Sequence, residues 1–294
     1  RFGVLQRSAL RQKGVENPHS LVMSATPIPR TLSLTLYGDL DISTLDELPP
    51  GRQNIPTRWL GPERRPAAYG FLRKQVEAGR QGFIIYPLID ESEAIEAKAA
   101  TEEYKRLSQE VFPDLKLGLL HGRMPAKEKD RVMRQFRDGE LDILVSTAVV
   151  EVGIDVPNAT VMMIEGADRF GLSQLHQFRG RVGRGEHKSY CILLSDSASE
   201  VAKERLATLE QIHDGFKLAE ADLELRGPGD FFGTRQSGLP NLRMAHLSDR
   251  DLLDSAREEA AGILEKDPDL TAPEHSLLAA QVARFLDRVS AEFS

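Results

Sequence analysis

The string QFRGRVGRG, residues 177–185, holds side chains that could work on a phosphate. Read on a helix, Gln177, Arg181 and Arg184 fall at i, i+4 and i+7, so three polar groups would reach from one face, while Gly180 and Gly183 keep the neighbouring surface thin. Arginine suits such a cleft because its planar fork binds phosphate oxygens bidentately and stays charged at every relevant pH. The competing reading is a solvated basic helix end. The string is not a Walker A loop, because no Gly-Lys-Ser/Thr follows and the next element is strand-like.

A second constellation is STAVVEVGIDVPNATVMMIEGADRF. The apolar run ILVS predicts a strand ending near Thr147, then a turn through Glu151, Gly153 and Asp155, then another strand from about Ala159. Loops leaving the carboxyl ends of parallel strands are where ligands bind. Asp155 could there accept from a sugar hydroxyl, and Ser146 and Thr147 could donate to a phosphate; alternatively Asp155 merely holds the turn before Pro157. SATPIPR, Ser24 to Arg30, follows a strand-like LVMS and would suit a switch at a strand end, a weak signal in isolation. Asp90 and Glu91 after FIIYPLI imitate a magnesium-binding acid pair, but without a phosphate loop helix N-capping is the better reading.

The elements that must position these groups alternate from about residue 55: helix-like RPAAYGFLRKQVEAG, strand FIIYPLI, helix SEAIEAKAATEEYKRLSQEVF, strand LKLGLLHG and helix PAKEKDRVMRQFRDG. Strands DILVSTAVV and ATVMMIEGA, helix SQLHQFRGRV and strand SYCILLS follow. Short apolar runs between amphipathic helices indicate a parallel sheet covered on both faces. In one of these helices Pro125 stands near the start, Val132, Met133 and Phe136 share a face, and Gly139 is the stop. LDELPPGRQNIP is the best candidate for a domain boundary. Beyond residue 196 the pattern is helical, interrupted by the Gly/Pro-rich loop RGPGDFFGTRQSGLP.

The 294 residues, 40% hydrophobic and 28% charged, exclude a disordered or collagen-like chain. No apolar run reaches the ~18 residues that span a bilayer and the start does not read as a signal peptide, so a soluble, cytoplasmic protein with no membrane partner is expected. The single cysteine, Cys191, reads as a buried strand thiol, and seven scattered histidines give no metal-ligand spacing, so no metal site built by protein ligands alone is expected. The net charge of −7 speaks against a polyanion only if spread evenly, and it is not: HGRMPAKEKDRVMRQFR and FRGRVGRGEHK are basic, whereas IDESEAIEA is acidic.

Taken in order, these strings resemble the C-terminal part of a superfamily-two helicase. SATPIPRT is similar to motif III, LHGRM and STAVVEVGID to motifs IVa and V, and QFRGRVGRG to motif VI. DLELRGPGDFFGTRQSG resembles the TRG motif, a helical hairpin and loop, and its wording together with DRFGLSQLHQFRGRVGRG matches the RecG family of branched-DNA translocases best. The resemblance implies an α/β fold: a RecA-like parallel sheet flanked by helices, the second helicase lobe, followed by a helical TRG hairpin and C-terminal helices. It implies that residues 1–50 end the first lobe, 51–196 form the second, and 197–294 carry the hairpin, loop and last helices. It also implies that the chain starts just after motif II and lacks the phosphate loop, the acid pair and the wedge domain, so that it is inactive alone.

For the site, the resemblance makes Arg184 the arginine finger, Arg181 a second γ-phosphate contact and Gln177 a nucleotide-state sensor, with Gly153 and Asp155 lining the ribose and phosphate side. Thr147, Ser146 and His121 would meet DNA, and Arg226, Arg235 and Gln236 would couple lobe motion to translocation, unless they merely stitch the loop to its helices. The implied cofactor is ATP with Mg2+, whose phosphate loop and metal ligands would lie outside this chain. The implied substrates are stalled forks and Holliday junctions in repair and recombination, bound by a monomer that contacts single-stranded DNA-binding protein. Two alternatives stand beside this: a transcription-repair coupling motor with RNA polymerase as partner, and a non-catalytic DNA-binding module.

Overall fold

Strands whose residues are apolar without alternation must be covered on both faces, and the central runs here are of that kind. A computed structural model describes residues 54–87, 93–148, 155–197, 199–226 and 250–292, together with positions 21, 23, 24, 43–45 and 47. Six strands form one sheet: β1 (Thr57–Leu60), β2 (Gln81–Ile85), β3 (Leu117–Leu120), β4 (Ile143–Ser146), β5 (Ala159–Ile164) and β6 (Tyr190–Leu194). Their order is β1-β6-β5-β2-β4-β3 and every pairing is parallel. All residues of β2, β4 and β5 are buried, while the edge strands β1 and β3 keep partly exposed positions. The strand β1 has no counterpart among the sequence expectations. Its TRWL mixes charge with bulk, and pairing with β6, not hydrophobic patterning, holds it extended.

Eight helices accompany the sheet among the described residues: α1 (Arg65–Glu77), α2 (Glu93–Arg106), α3 (Ala126–Arg137), α4 (Leu172–Arg179), α5 (Glu200–Gln211), α6 (Gly215–Arg226), α7 (Arg250–Lys266) and α8 (Ser276–Glu292). The period-two alternation of the strands sorts them into two layers. Ile84, Val145, Val161 and Met163 face Tyr69 and Leu72 of α1 and Leu107 and Phe112 beyond α2. Phe83, Ile85, Leu144, Met162 and Ile164 face α3 to α6 through Phe136, Leu175, Phe178, Leu206 and Leu218. Register places Phe83 beside Leu144 and Met162, and its ring meets Phe136 edge to face at 5.0 Å. As expected, α3 buries Val132 and Phe136 behind Pro125, and Gly139 closes it at φ +78°.

The expected LVMS strand is not formed at the described Leu21, Met23 and Ser24: no described strand pairs with them, and Leu21 and Met23 are exposed. The rest of SATPIPR and the Asp90–Glu91 pair lie outside the described residues. The helical run after residue 196 is broken at 212–214. There the Asp214 carboxylate accepts from the amides of Phe216 and Lys217 and starts α6 as an N-cap. No helix of the described residues is long and apolar enough to cross a membrane.

Between α7 and α8, one carboxylate organises the turn. Asp267 accepts from the amides of Thr271 and Ala272, each at 2.9 Å, and lies 2.8 Å from His275 Nδ1. The His275 bond first, then the Ala272 amide, hold its carboxyl at about 2. This lies below the ~4 of an unfolded aspartate, so its contribution is complete above ~4 and lost as pH falls toward 2. Amide exchange of Thr271 and Ala272 should therefore accelerate over that acid window, and Asp267→Asn should remove the window. Protection that persists unchanged down to pH 2 would contradict the assignment.

Candidate functional site

Because all the strands point one way, their carboxyl ends share one edge and each connection must bring the chain back to the other. The candidate residues divide between those two edges. At the carboxyl edge, Ser146 ends β4, Thr147 follows it and His121 follows β3. Ser146 is fully buried and its hydroxyl donates to the Thr147 carbonyl at 2.8 Å, so this group, expected to reach a phosphate, is instead satisfied inside the sheet. Thr147 borders a cavity of about 510 Å³ whose lining includes Tyr86 and Pro87 after β2 and Glu165, Gly166 and Asp168 after β5. The connection leaving β2 heads toward β3 and the one leaving β5 toward β6, so the cavity lies where connections diverge, a place where such sheets admit ligands.

A network that sequence reasoning missed frames this cavity. Glu165, 5% exposed, accepts from the Tyr69 hydroxyl at 2.7 Å and from Arg65 Nε at 3.2 Å, and Arg65 also reaches Asp196 at 3.0 Å. Burial, and then the adjacent Glu165 carboxylate, push the Tyr69 phenol up to about 12. Tyr69 sits on the buried face of α1 with Ala68 and Leu72, and no local pattern shows that its hydroxyl will meet a carboxylate from β5. His121 lines a neighbouring cavity of about 400 Å³ with Arg123, Met124 and Glu128. Burial, and then the Lys129 ammonium, move its imidazole below the ordinary histidine value, and its Nδ1 is enclosed without a hydrogen-bond partner.

The arginines lie near the other edge. The helix α4 ends at Arg179 with Gly180 as its cap, so Gln177 is helical while Arg181 and Arg184 are not, and the expected single helical face is not formed. The reason is local. Gly183 takes φ +77°, a conformation that L side chains rarely adopt, and packs against Ile55, just before β1. Gly185 lies so close to the chain before β5 that a Cβ there would stand 2.5 Å from the Pro157 carbonyl oxygen.

The turn these glycines permit brings Arg184 Nη1 to 3.6 Å from Asp155 Oδ1, while its Nε donates to the Gly180 carbonyl at 3.4 Å. Arg184 is 30% and Asp155 64% exposed as side chains, and Arg181 is half-buried in the same turn. Asp155 was expected among the loops at the carboxyl edge. It stands instead beside the amino end of β5, because the chain after β4 must return there for β5 to run parallel. The structure thus unites Arg184 with Asp155 and separates both from Thr147 and His121. Gly153, Arg235 and Gln236 lie outside the described residues; Arg226 is the last residue of α6, and nothing is described of its side chain.

Arg179 is the other residue that sequence reasoning passed over. It is 3% exposed and donates to the carbonyls of Leu209, Ile212 and His213 at the end of α5 and just after it. Burial moves it below the usual arginine value, against a smaller opposing effect of Cys191, whose own thiol burial pushes up to about 12. A signal was present: Leu172, Leu175 and Arg179 fall at i, i+3 and i+7, which places an arginine on the apolar face of its helix.

Residues 68–186 match the helicase conserved C-terminal domain, and residues 212–290 match domain 3, C-terminal, of the ATP-dependent DNA helicase RecG. The chain is 55% identical over 273 residues to the ATP-dependent DNA helicase RecG of Synechocystis sp., covering 92% of this chain and 33% of that protein. It is 50% identical over 279 residues to the protein of the same name from Bacillus subtilis, covering 95% and 41%. A solved structure of RecG bound to a three-way DNA junction superposes with a TM-score of 0.65 at 51% identity, covering 81% of this chain and 31% of that one. The chain therefore spans only about a third to two-fifths of the length of the curated relatives it matches.

The Glu165 network yields a direct test. Replacing Tyr69 by Phe withdraws one of the two donors that hold a buried carboxylate and should cost about 2 kcal/mol in denaturant unfolding, the range for hydrogen bonds to charged groups. A loss indistinguishable from zero would mean that water replaces the phenol and that the cavity edge is not held this way.

Proposed function

The chain belongs to the RecG family of ATP-dependent DNA helicases, and from that premise we propose that it forms the arginine-bearing part of an ATP-driven motor that moves on branched double-stranded DNA. The observation that carries the reading is the loose 3.6 Å contact of Arg184 with a mostly exposed Asp155, in a turn that Gly183 and Gly185 let lie close against Ile55 and Pro157. A guanidinium held that weakly can exchange its carboxylate for a phosphoryl oxygen. Arg184, Arg181 and Gln177 would hold the triphosphate of ATP, and Gly153 and Asp155 would line its ribose. ATP, with Mg2+ bound by acids outside this chain, supplies the phosphoanhydride whose hydrolysis drives the motor. Within this chain Arg184 orients toward the transferring phosphoryl group and stabilises the charge that develops there.

DNA lies along the other edge, where Thr147 contacts the backbone and His121, whose imidazole burial moves below the ordinary histidine value, borders the path. Such contacts carry no base information, so the preferred DNA, forks and Holliday junctions in repair and recombination, is chosen by shape and is released as salt rises. Residues 1–50 complete a first lobe, 51–196 are the second, and 197–294 form the coupling region in which Arg226, Arg235 and Gln236 transmit the motion. The motor works as a monomer in the cytoplasm and contacts single-stranded DNA-binding protein.

Replacing Arg184 by Ala in the intact helicase should lower fork-stimulated ATP turnover by roughly 10³-fold or more, the usual worth of an arginine on a transferring phosphoryl group, and leave fork affinity intact. Steady-state hydrolysis and fork titration check both. Turnover reduced less than about tenfold would remove Arg184 from the role of finger.

A further inference from the structure

Among the described residues Arg179 is the only lysine or arginine that is fully buried, and none of its contacts is a carboxylate that would justify a buried cation as an ion pair. Its Nη1 donates to the carbonyls of Leu209 at 2.9 Å and Ile212 at 3.0 Å, and its Nη2 donates to that of His213 at 3.3 Å and lies 2.9 Å from His176 Nδ1. The last carbonyls of a helix have no partners of their own, and their partial negative charge attracts a cation. Here the cation comes from a different helix: α4 supplies it, two residues after Gln177 and two before Arg181, and α5 receives it at the corner where the chain turns into α6.

We propose that Arg179 is a positioning residue that ties the arginine segment of the nucleotide site to the α5–α6 hairpin, so that displacement of one is delivered to the other. The inference rests on the function proposed above. An apolar side chain continuing the Leu172–Leu175 face would fill this place without the desolvation that a guanidinium suffers, so packing alone does not explain the residue. A lysine would not replace it, because a single ammonium lacks the planar fork that spans three carbonyls. The three acceptors are backbone atoms, so the link grips the turn of the hairpin itself and does not depend on the rotamers of hairpin side chains. When Arg181 and Arg184 shift toward a phosphate, the same short segment pulls on residues 209–213, and α6 carries the displacement to its far end at Arg226.

The test compares the intact wild-type helicase with Arg179→Lys, measuring ATP hydrolysed and fork DNA remodelled in the same reaction. The expected result is ATP turnover close to wild type with remodelling per ATP reduced roughly tenfold, the scale of a typical coupling between sites. A merely structural role would lower both in parallel, and that result, or an unchanged ratio, would overturn the inference. Should the variant not fold, amide exchange on the wild type decides: a non-hydrolysable ATP analogue should change protection at 209–216 together with 177–186, and a change confined to 177–186 would overturn the link. Wild-type protein without fork-stimulated turnover would overturn the functional reading itself and this inference with it. Wild-type activity with unaltered coupling in the variant overturns this inference alone.

Discussion

The common direction of the six strands is the constraint on which the rest of the molecule depends. A parallel strand cannot be joined to the next by a tight turn, so each connection recrosses the sheet and the chain visits two edges alternately. That geometry parts residues that are close in sequence. Thr147 and Asp155 are eight positions apart yet lie at opposite edges, because β4 ends at one and β5 begins at the other. In the function proposed above, this arrangement lets a short stretch of chain reach a nucleotide and a nucleic acid without bringing their like charges together.

The helix α4 makes one such crossing, between β5 and β6. It leaves the carboxyl edge behind Phe170 and Leu172 and delivers Arg179 to Arg184 near the amino edge, where α5 also ends. Two kinds of contact fix that delivery. Close backbone approach at Gly183 and Gly185 sets where the exposed arginines stand. A buried guanidinium sets how the helical hairpin stands relative to them. The first contact is steric and permits the segment little variation, whereas the second is electrostatic and reaches across elements. Together they join the arginine turn to both the sheet and the hairpin.

Much of the fold was legible in the sequence. The runs FIIYPLI, DILVSTAVV and ATVMMIEGA read as buried strands because they are mainly apolar, although the strands themselves end earlier, at Ile85, Ser146 and Ile164, and α3 was legible from one apolar face between Pro125 and Gly139. The strand β1 was not, because TRWL becomes a strand only through its pairing with β6. Of the site, residue types were readable and geometry was not. Helical spacing put Gln177, Arg181 and Arg184 on one face, but a glycine at positive φ ended that regularity. Ser146 looked available because sequence does not show that its hydroxyl turns to the next carbonyl. Glu165 was invisible as a functional group because its Tyr69 partner lies 96 residues away and long-range polar pairing leaves no local periodicity, whereas Arg179 showed itself only as an arginine on an apolar helix face, its acceptors about 30 residues away.

The central claim, that nucleotide and DNA occupy opposite edges of this sheet, is tested most directly by a structure of the intact helicase with a non-hydrolysable ATP analogue and a three-way junction. The account predicts Arg184 released from Asp155 and within hydrogen-bond reach of the terminal phosphate, with the DNA backbone passing Thr147 at the carboxyl edge. A triphosphate seated in the cavity between Pro87 and Gly166, with Arg184 still on Asp155, would contradict it.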